Sequence, residues 1–230
     1  MNAPDPKCLS RELLNDARIP SALAERILRA CSVLDLPARS YLQHVADDPG
    51  GMWCLVEGAL SVEFAFGMRE PQIGYILLPP VWAGEGGVIA GTPRIVGLAT
   101  TRRSVLLHLP MHQFVAIAQE EPLIWRWVAT EQNLNIVRAM GMVDALMVRS
   151  SEARIAAVLR QLGGCLRHRA SAPRVLDLTQ ARLAAIANVS RSILSPVLKT
   201  FELNGVIELG FSTITVVDPA ALHRLSERPA

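Results

Sequence analysis

Residues 178–199, LTQARLAAIANVSRSILSPVLK, are patterned for two short helices that meet at a tight turn. Thr179 has the side chain of a helix N-cap. Leu178 before it and Leu183 within the helix form a hydrophobic staple that fixes the entry angle of the chain. Leu183, Ala184 and Ala187 give an apolar face whose small residues let a second helix cross closely. Asn188 stands where the turn needs a positive φ, and asparagine tolerates that region next best after glycine. Val189 fills the angle between the helices. Ser190 caps the second helix, and Leu194, Val197 and Leu198 supply its inner face. This is the pattern of a helix-turn-helix. Pro196 conflicts with it. Counted from Ser190, it removes the N–H that the Ser192 carbonyl needs, a defect of about 3 kcal/mol in a helix interior. Two solutions are open: a kink at Pro196, or a new helix with Ser195 as cap and Pro196 as its first residue.

Asn204-Gly205 then stops the helix. Residues 206–217, VIELGFSTITVV, alternate as two strands around a Gly210-Phe211-Ser212 turn. The sum is a winged helix-turn-helix. The plainer alternative is an ordinary helical hairpin followed by a β-hairpin.

On the N-terminal side, Ser150-Ser151-Glu152 reads as a hinge and a cap for a helix over 152–162. Gly163-Gly164 and the basic loop CLRHRASAPR follow it. Glu120-Glu121-Pro122 reads as another helix start. From there residues 123–149 run without proline, a helix roughly 40 Å long at 1.5 Å per residue. Trp127, Leu134, Val137 and Gly141 line one stripe of it; Ile136, Met140, Val143 and Met147 line a neighbouring one. So wide an apolar face calls for two packing partners, the chain's own β domain and a second copy; burial in one large core is the alternative. Between Leu36 and Leu109 the texture is β: WCLVEG, LSVEFAF, IGYILL, IVGLATT and SVLLHL, separated by Gly, Pro and Asp at the spacing of a sandwich or barrel. Residues 21–31 have helical spacing at Leu23, Ile27 and Leu28.

Composition agrees with a folded two-domain chain. Of 230 residues half are hydrophobic and 19% are charged, which excludes a disordered polymer. The net charge of +2 is unevenly placed: residues 1–150 carry 13 basic and 15 acidic side chains, residues 151–230 carry 10 and 6. A basic C-terminal third points to a nucleic-acid partner. Cys8, Cys31, Cys54 and Cys165 show no ligand-like spacing, so neither a zinc site nor a disulfide framework is expected. The N-terminus lacks the pattern of a signal peptide, and Pro79-Pro80 and Glu85 break the most apolar stretch, Ile73 to Ile89. The expectation is a cytoplasmic protein with no membrane partner.

The order β-roll, long helix, winged helix-turn-helix resembles the Crp/Fnr family of bacterial transcription regulators. LTQARLAAIANVSRSILSPVLKTFELNGVIELG carries the resemblance most strongly; MWCLVEGALSVEF and WAGEGGVIAGTPRIVGLATTRRSVLLHL are similar to the family's sensor domain. It implies an α+β chain in three parts: a cyclic-nucleotide-binding-like, cupin-like β-roll with an N-terminal helix over 1–120, a dimerisation helix over 121–149, and a DNA-binding domain over 150–230. It implies a homodimer joined along the long helix, through Trp127, Leu134, Val137 and Gly141. Its recognition helices would enter major grooves about 34 Å apart on a pseudo-palindromic duplex, with RNA polymerase as a further partner. Arg191, Ser192 and Ser195 fall at positions that face bases, beside the cap Ser190; Lys199 and Arg182 are phosphate candidates. Pro196 would re-aim Arg191 and Ser192, so no base sequence is expected from the resemblance.

The same resemblance implies an effector pocket. Gly84, Glu85, Gly86 and Gly87 would supply backbone N–H groups and an acid for a ribose hydroxyl, and Arg94 would take a cyclic phosphate. Ile95 stands where the family has a hydroxyl, and Ala139 and Met140 stand where the base meets polar side chains. Each lost partner costs on the order of 1–3 kcal/mol. The expectation is therefore an effector domain that departs from the cyclic-AMP pattern, with a cyclic nucleotide as the doubtful cofactor and no other certain one. A less polar ligand, or an internal Arg94–Glu85 salt bridge filling the pocket, would serve equally. Haem is kept open only by the separate His44, His108 and His112. The rival classes are a metal-binding, cupin-like enzyme, for which no HxH or third ligand is present, a protein-binding winged helix, and a cyclic-nucleotide-dependent regulator of the ordinary kind.

Overall fold

The computed structural model describes residues 19–65, 71–165 and 174–227. Along the chain, α1 (Ser21–Ala30) is followed by β1 (Ser32–Leu36), β2 (Tyr41–Gln43), β3 (Gly51–Glu57), β4 (Leu60–Phe64), β5 (Gln72–Leu77) and β6 (Val81–Ala83). Then come α2 (Glu85–Ala90), β7 (Gly97–Thr100), β8 (Ser104–Pro110), α3 (Met111–Glu120) and the long α4 (Leu123–Met147). The remainder is α5 (Ser151–Leu162), β9 (Arg174–Leu176), α6 (Gln180–Ile186), α7 (Arg191–Leu203), β10 (Ile207–Gly210), β11 (Thr213–Val216) and α8 (Pro219–Ser226). This is the α+β architecture that the sequence implies.

The described residues form two compact units. One runs to Gln72 and resumes over Leu77–Ile136; the other comprises Ile73–Ile76 and the chain from Val137 onward. The first contains a four-stranded sheet in the order β1-β8-β3-β6 and draws on a second in the order β2-β7-β4-β5. Val105, Leu106, Leu107 and Leu109 of β8 are all buried. Such a continuous apolar run fits a strand covered on both faces. Helices supply the outer cover: Ile27 of α1, Phe114 and Ile117 of α3, and Ile124, Trp127 and Val128 of α4 share one core with Met52, Cys54, Trp82 and Leu107. The expected helix start at Glu120-Glu121-Pro122 is the junction of α3 and α4. α3 itself goes unread in the sequence because Pro110, which ends β8, is also the residue that leads into it.

The second unit has a core of Ile155, Val158, Leu159, Leu194, Leu198, Phe201, Ile214 and Leu222. The Ser150 side chain caps α5 by accepting from the Ala153 N–H, and Asp218 caps α8 by accepting from that of Ala221 at 2.9 Å. β9 joins the wing, giving a sheet in the order β10-β11-β9. Of the basic loop CLRHRASAPR, residues 166–173 lie outside the described residues, as does Cys8. No described helix is long and apolar enough to cross a membrane.

Candidate nucleic-acid interface and sensor pocket

The helix-turn-helix is built by its caps. Thr179 Oγ1 accepts from the Arg182 N–H at 3.2 Å and starts α6. Leu178 and Leu183, the two halves of the staple, are both buried. Asn188 takes φ 50° at the turn. Ser190 Oγ accepts from the Ile193 N–H at 3.3 Å and lies 2.7 Å from Ser192 Oγ. No new helix starts at Ser195: α7 is continuous from Arg191 to Leu203, with Pro196 inside it. Leu194 and Leu198 bury the inner face on either side of Pro196, so packing holds the helix through the defect. Pro196 itself is exposed. Pro196→Ala is therefore expected to raise the stability of this unit by about 1–3 kcal/mol. The urea midpoint checks it; an unchanged midpoint would mean that the helix has already absorbed the missing bond.

Arg182, Ser190, Arg191, Ser192 and Lys199 are exposed, and Ser195 is half-buried. Among the described residues, Arg182, Arg191 and Lys199 enter no ion pair. The surface around the start of α7 thus offers unneutralised cations and short hydroxyls. Arg154 on α5 supports it from behind. Its Nε donates to the Ala187 carbonyl at 3.0 Å and its Nη1 to the Val148 carbonyl at 2.9 Å. Those carbonyls end α6 and α4, where no N–H follows to satisfy them. Sequence reasoning misses Arg154, whose only signal is a cation near two helix C-termini.

In the first unit, Gly84 takes φ 95°, a conformation that suits glycine, and starts the short α2. Arg94 is only 4% exposed. Its Nη2 donates to the Gly51 carbonyl at 2.6 Å, and its Nη1 donates to the Gly84 carbonyl. Burial lowers the affinity of this guanidinium for its proton, and the Glu85 and Asp47 charges oppose that effect. The Arg94–Glu85 salt bridge does not form. Glu85 is buried too, but its Oε1 accepts from Asn135 Nδ2 at 2.8 Å, and the same amide donates to the Trp82 carbonyl at 2.9 Å. A Cβ placed on Gly86 would lie 3.7 Å from Gln132 Oε1. Gln132 and Asn135, three residues apart on one face of α4, thus stand over α2. Sequence reasoning looks to Ala139 and Met140 instead and passes over this i,i+3 amide pair. Ile95 and Met140 are both well exposed, at 67% and 60%.

The proposed dimer stripe divides. Trp127 is 1% exposed and packs edge-on against Trp82, ring centroids 5.0 Å apart. A Cβ on Gly141 would lie 2.6 Å from Gln161 Nε2 on α5. Both residues are engaged inside their own chain. Leu134 is half-buried, and Val137 is exposed. With Val137, the residues Ile136, Met140, Val143 and Met147 form the exposed apolar face of α4; 136, 140, 143 and 147 follow the i, i+4, i+7, i+11 spacing of one helix face.

Among the described residues, no group of three or more His, Cys, Asp or Glu side chains converges on a metal position. His108 stacks on Trp53 at 3.9 Å and donates from Nε2 to the Gly50 carbonyl, while His44 stacks on Tyr41. Burial pushes the Cys31 thiol up to about 12 and raises Cys54 as well, which leaves both protonated and unreactive at neutral pH.

Residues 153–225 match the family model of the Crp-like helix-turn-helix domain. A comparison with curated protein sequences finds no match. Solved structures share the fold. FixK2 of Bradyrhizobium japonicum superposes with a TM-score of 0.70 at 14% identity, over 87% of this chain and 99% of its own. The c-di-GMP responsive global regulator CLP of Xanthomonas campestris gives 0.63 at 18% identity, over 86% and 100%. A CRP/FNR family transcriptional regulator of Thermus thermophilus gives 0.63 at 21% identity, over 86% and 99%. Residues 153–225 are thus a Crp-like helix-turn-helix domain, and the chain that carries it shares its fold with these solved structures.

Proposed function

We propose that this chain is a homodimeric, sequence-specific DNA-binding transcription regulator whose sensor domain departs from the cyclic-AMP pattern. It would act in the cytoplasm, with RNA polymerase as a further partner. The observation that carries the reading is the exposed, ion-pair-free set Arg182, Arg191 and Lys199 around a capped recognition helix. An arginine at Arg191 can donate two bonds to guanine, while Ser192 and Ser195 accept or donate to either partner; Arg182 and Lys199 neutralise phosphates.

The test uses a duplex enriched by the wild-type protein from a randomised pool. Affinity is expected to fall steeply and linearly on a log–log plot against salt, because phosphate binding releases counterions. Arg191→Ala is expected to weaken binding about tenfold or more and to relax discrimination at one base position. Salt-insensitive binding would sink the reading and favour a protein-binding winged helix.

Dimerisation rests on the exposed face of α4. A charge set among Ile136, Val137, Met140, Val143 and Met147 would be buried unpaired in a dimer. Val143→Glu is expected to yield a folded monomer by sedimentation, with helical content retained and duplex affinity greatly reduced. A dimer of unchanged strength would move the interface elsewhere.

Calorimetric titration with cyclic AMP and with cyclic GMP is expected to give no heat up to millimolar ligand. The Xanthomonas regulator is c-di-GMP responsive, so that dinucleotide belongs in the same series. Micromolar binding of cyclic AMP would overturn the departure and restore an ordinary cyclic-nucleotide-dependent regulator.

A further inference from the structure

Phe211 is 100% exposed. It stands at the tip of the β10–β11 hairpin, where Gly210 and Thr213 form the last strand pair and leave Phe211-Ser212 as the connection. The tip is tightly made. Ser212 takes φ 58°, and a Cβ on Gly210 would fall 2.3 Å from Thr213 Oγ1. A hairpin that only has to reverse direction calls for small, polar turn residues. A phenylalanine held out in water on such a turn gains nothing from the fold.

Its position has a neighbour that explains it. The wing tip and the start of α7 bound one concave cleft of about 330 Å³, lined among others by Thr179, Gln180, Arg191, Phe211 and Ser212. Two hydroxyls, an amide and a guanidinium on one concave surface are the chemistry that holds a phosphodiester backbone. In duplex DNA each sugar–phosphate strand separates a major groove from a minor one. With a strand in the cleft and α7 in the major groove on one side of it, the wing tip lies over the minor groove on the other.

We propose that Phe211 is an apolar wedge that enters the minor groove beside the strand held in this cleft, partly unstacks one base step and bends the duplex. The proposal rests on the DNA-binding reading above and adds a specificity element to it. Apolar side chains inserted from the minor groove kink DNA by about 20–90°. The deformation is easiest at pyrimidine–purine steps, so the chain would prefer such a step at a fixed offset outside the bases that α7 reads.

The experiment compares wild type, Phe211→Ala, Phe211→Leu and Arg191→Ala on the duplex enriched by wild type, with dyes at the two duplex ends reporting the bend. Phe211→Ala is expected to bind about tenfold more weakly, to bend the duplex less and to lose its preference for the flanking step. Its salt dependence should match wild type, since no phosphate contact is removed. Phe211→Leu, still apolar, should keep most of the bend. Arg191→Ala should lose affinity while its remaining complex stays bent. If Phe211→Ala matches wild type in affinity, bend and step preference while Arg191→Ala is impaired, the wedge is overturned and the DNA-binding reading stands. If wild type shows no salt-sensitive duplex binding, both are overturned. With its side chain fully in solvent, Phe211 can be replaced without unfolding the wing, so none of these outcomes is confounded by loss of structure.

Discussion

Trp127→Ala is expected to destabilise the N-terminal unit by about 3–5 kcal/mol, the range for deleting a large aromatic side chain from a packed core. The side chain is 1% exposed, and its ring meets Trp82 edge-on at 5.0 Å and 89°. Such a contact adds about 0.5–1.5 kcal/mol to the area term. The cavity would open where α4, β6 and the α1–α3 cover meet, and three elements fixed by other contacts cannot all collapse into it. Trp125 is the control. It lies two residues away on the same helix, is 43% exposed, and touches Phe114 edge-on at 5.0 Å. Trp125→Ala should cost about 1 kcal/mol, mostly that ring contact. Urea unfolding of the two variants, with the dimer dissociation constant measured alongside, separates core from interface. Trp127→Ala should lower stability and leave association of the folded chains alone; Val143→Glu should do the reverse. A Trp127→Ala variant that unfolds like wild type but fails to associate would return Trp127 to the dimer interface.

That contrast shows where sequence periodicity is informative and where it stops. Spacing places Trp127, Leu134, Val137 and Gly141 along one side of a helix, but it cannot say which partner takes which part of that side. Trp127 goes to the β-roll core and Gly141 to Gln161. The helix-turn-helix is far more legible, because its determinants are local. Thr179 and Ser190 each cap an N–H three residues ahead, Leu178 pairs with Leu183, and Asn188 signals its own positive φ. Pro196 is the local signal that misleads. Propensity argues for breaking α7 there, and the buried Leu194 and Leu198 on either side outweigh it. The expected effector site is the least legible part. Gly84, Glu85 and Arg94 are recognisable, but their partners are not. Arg94 donates to the Gly51 carbonyl, 43 residues away, and to that of Gly84; Glu85 accepts from the Asn135 amide, 50 residues away. A carbonyl has no sequence signature, so nothing in the chain announces that Arg94 donates to two carbonyls of its own unit.

Arg94→Met is expected to cost about 2–4 kcal/mol of stability and to leave nucleotide response unchanged. Two charge-assisted hydrogen bonds are lost at about 1.5–3 kcal/mol each, and the apolar volume that methionine restores offsets part of that. Arg94 links the Gly51 carbonyl at the start of β3 to the Gly84 carbonyl ahead of α2, and its own backbone bonds to Ala46 and Asp47. One side chain thus fastens three loops, and its loss strands two carbonyls together. Arg94→Lys should recover only part of the loss, since an ammonium cannot reproduce the fork that reaches both carbonyls. A guanidinium kept for a ligand's phosphate predicts a different pattern. Its removal would relieve an unpaired buried cation and would raise stability without ligand, and wild type alone would be stabilised by cyclic AMP. At a hundredfold excess over the dissociation constant that stabilisation is about 2.7 kcal/mol, easily read as a thermal shift. The geometry favours the first pattern because both terminal nitrogens already donate to carbonyls. A cyclic nucleotide would have to share this guanidinium with those carbonyls, through its remaining N–H groups and the buried Nε, and Ile95 offers no hydroxyl beside it. Thermal shifts of wild type, Arg94→Met and Arg94→Lys, each with and without millimolar cyclic AMP, decide between the two. A lower melting temperature in both variants with no ligand shift in any makes Arg94 an internal brace. A ligand shift confined to wild type makes it the anion site.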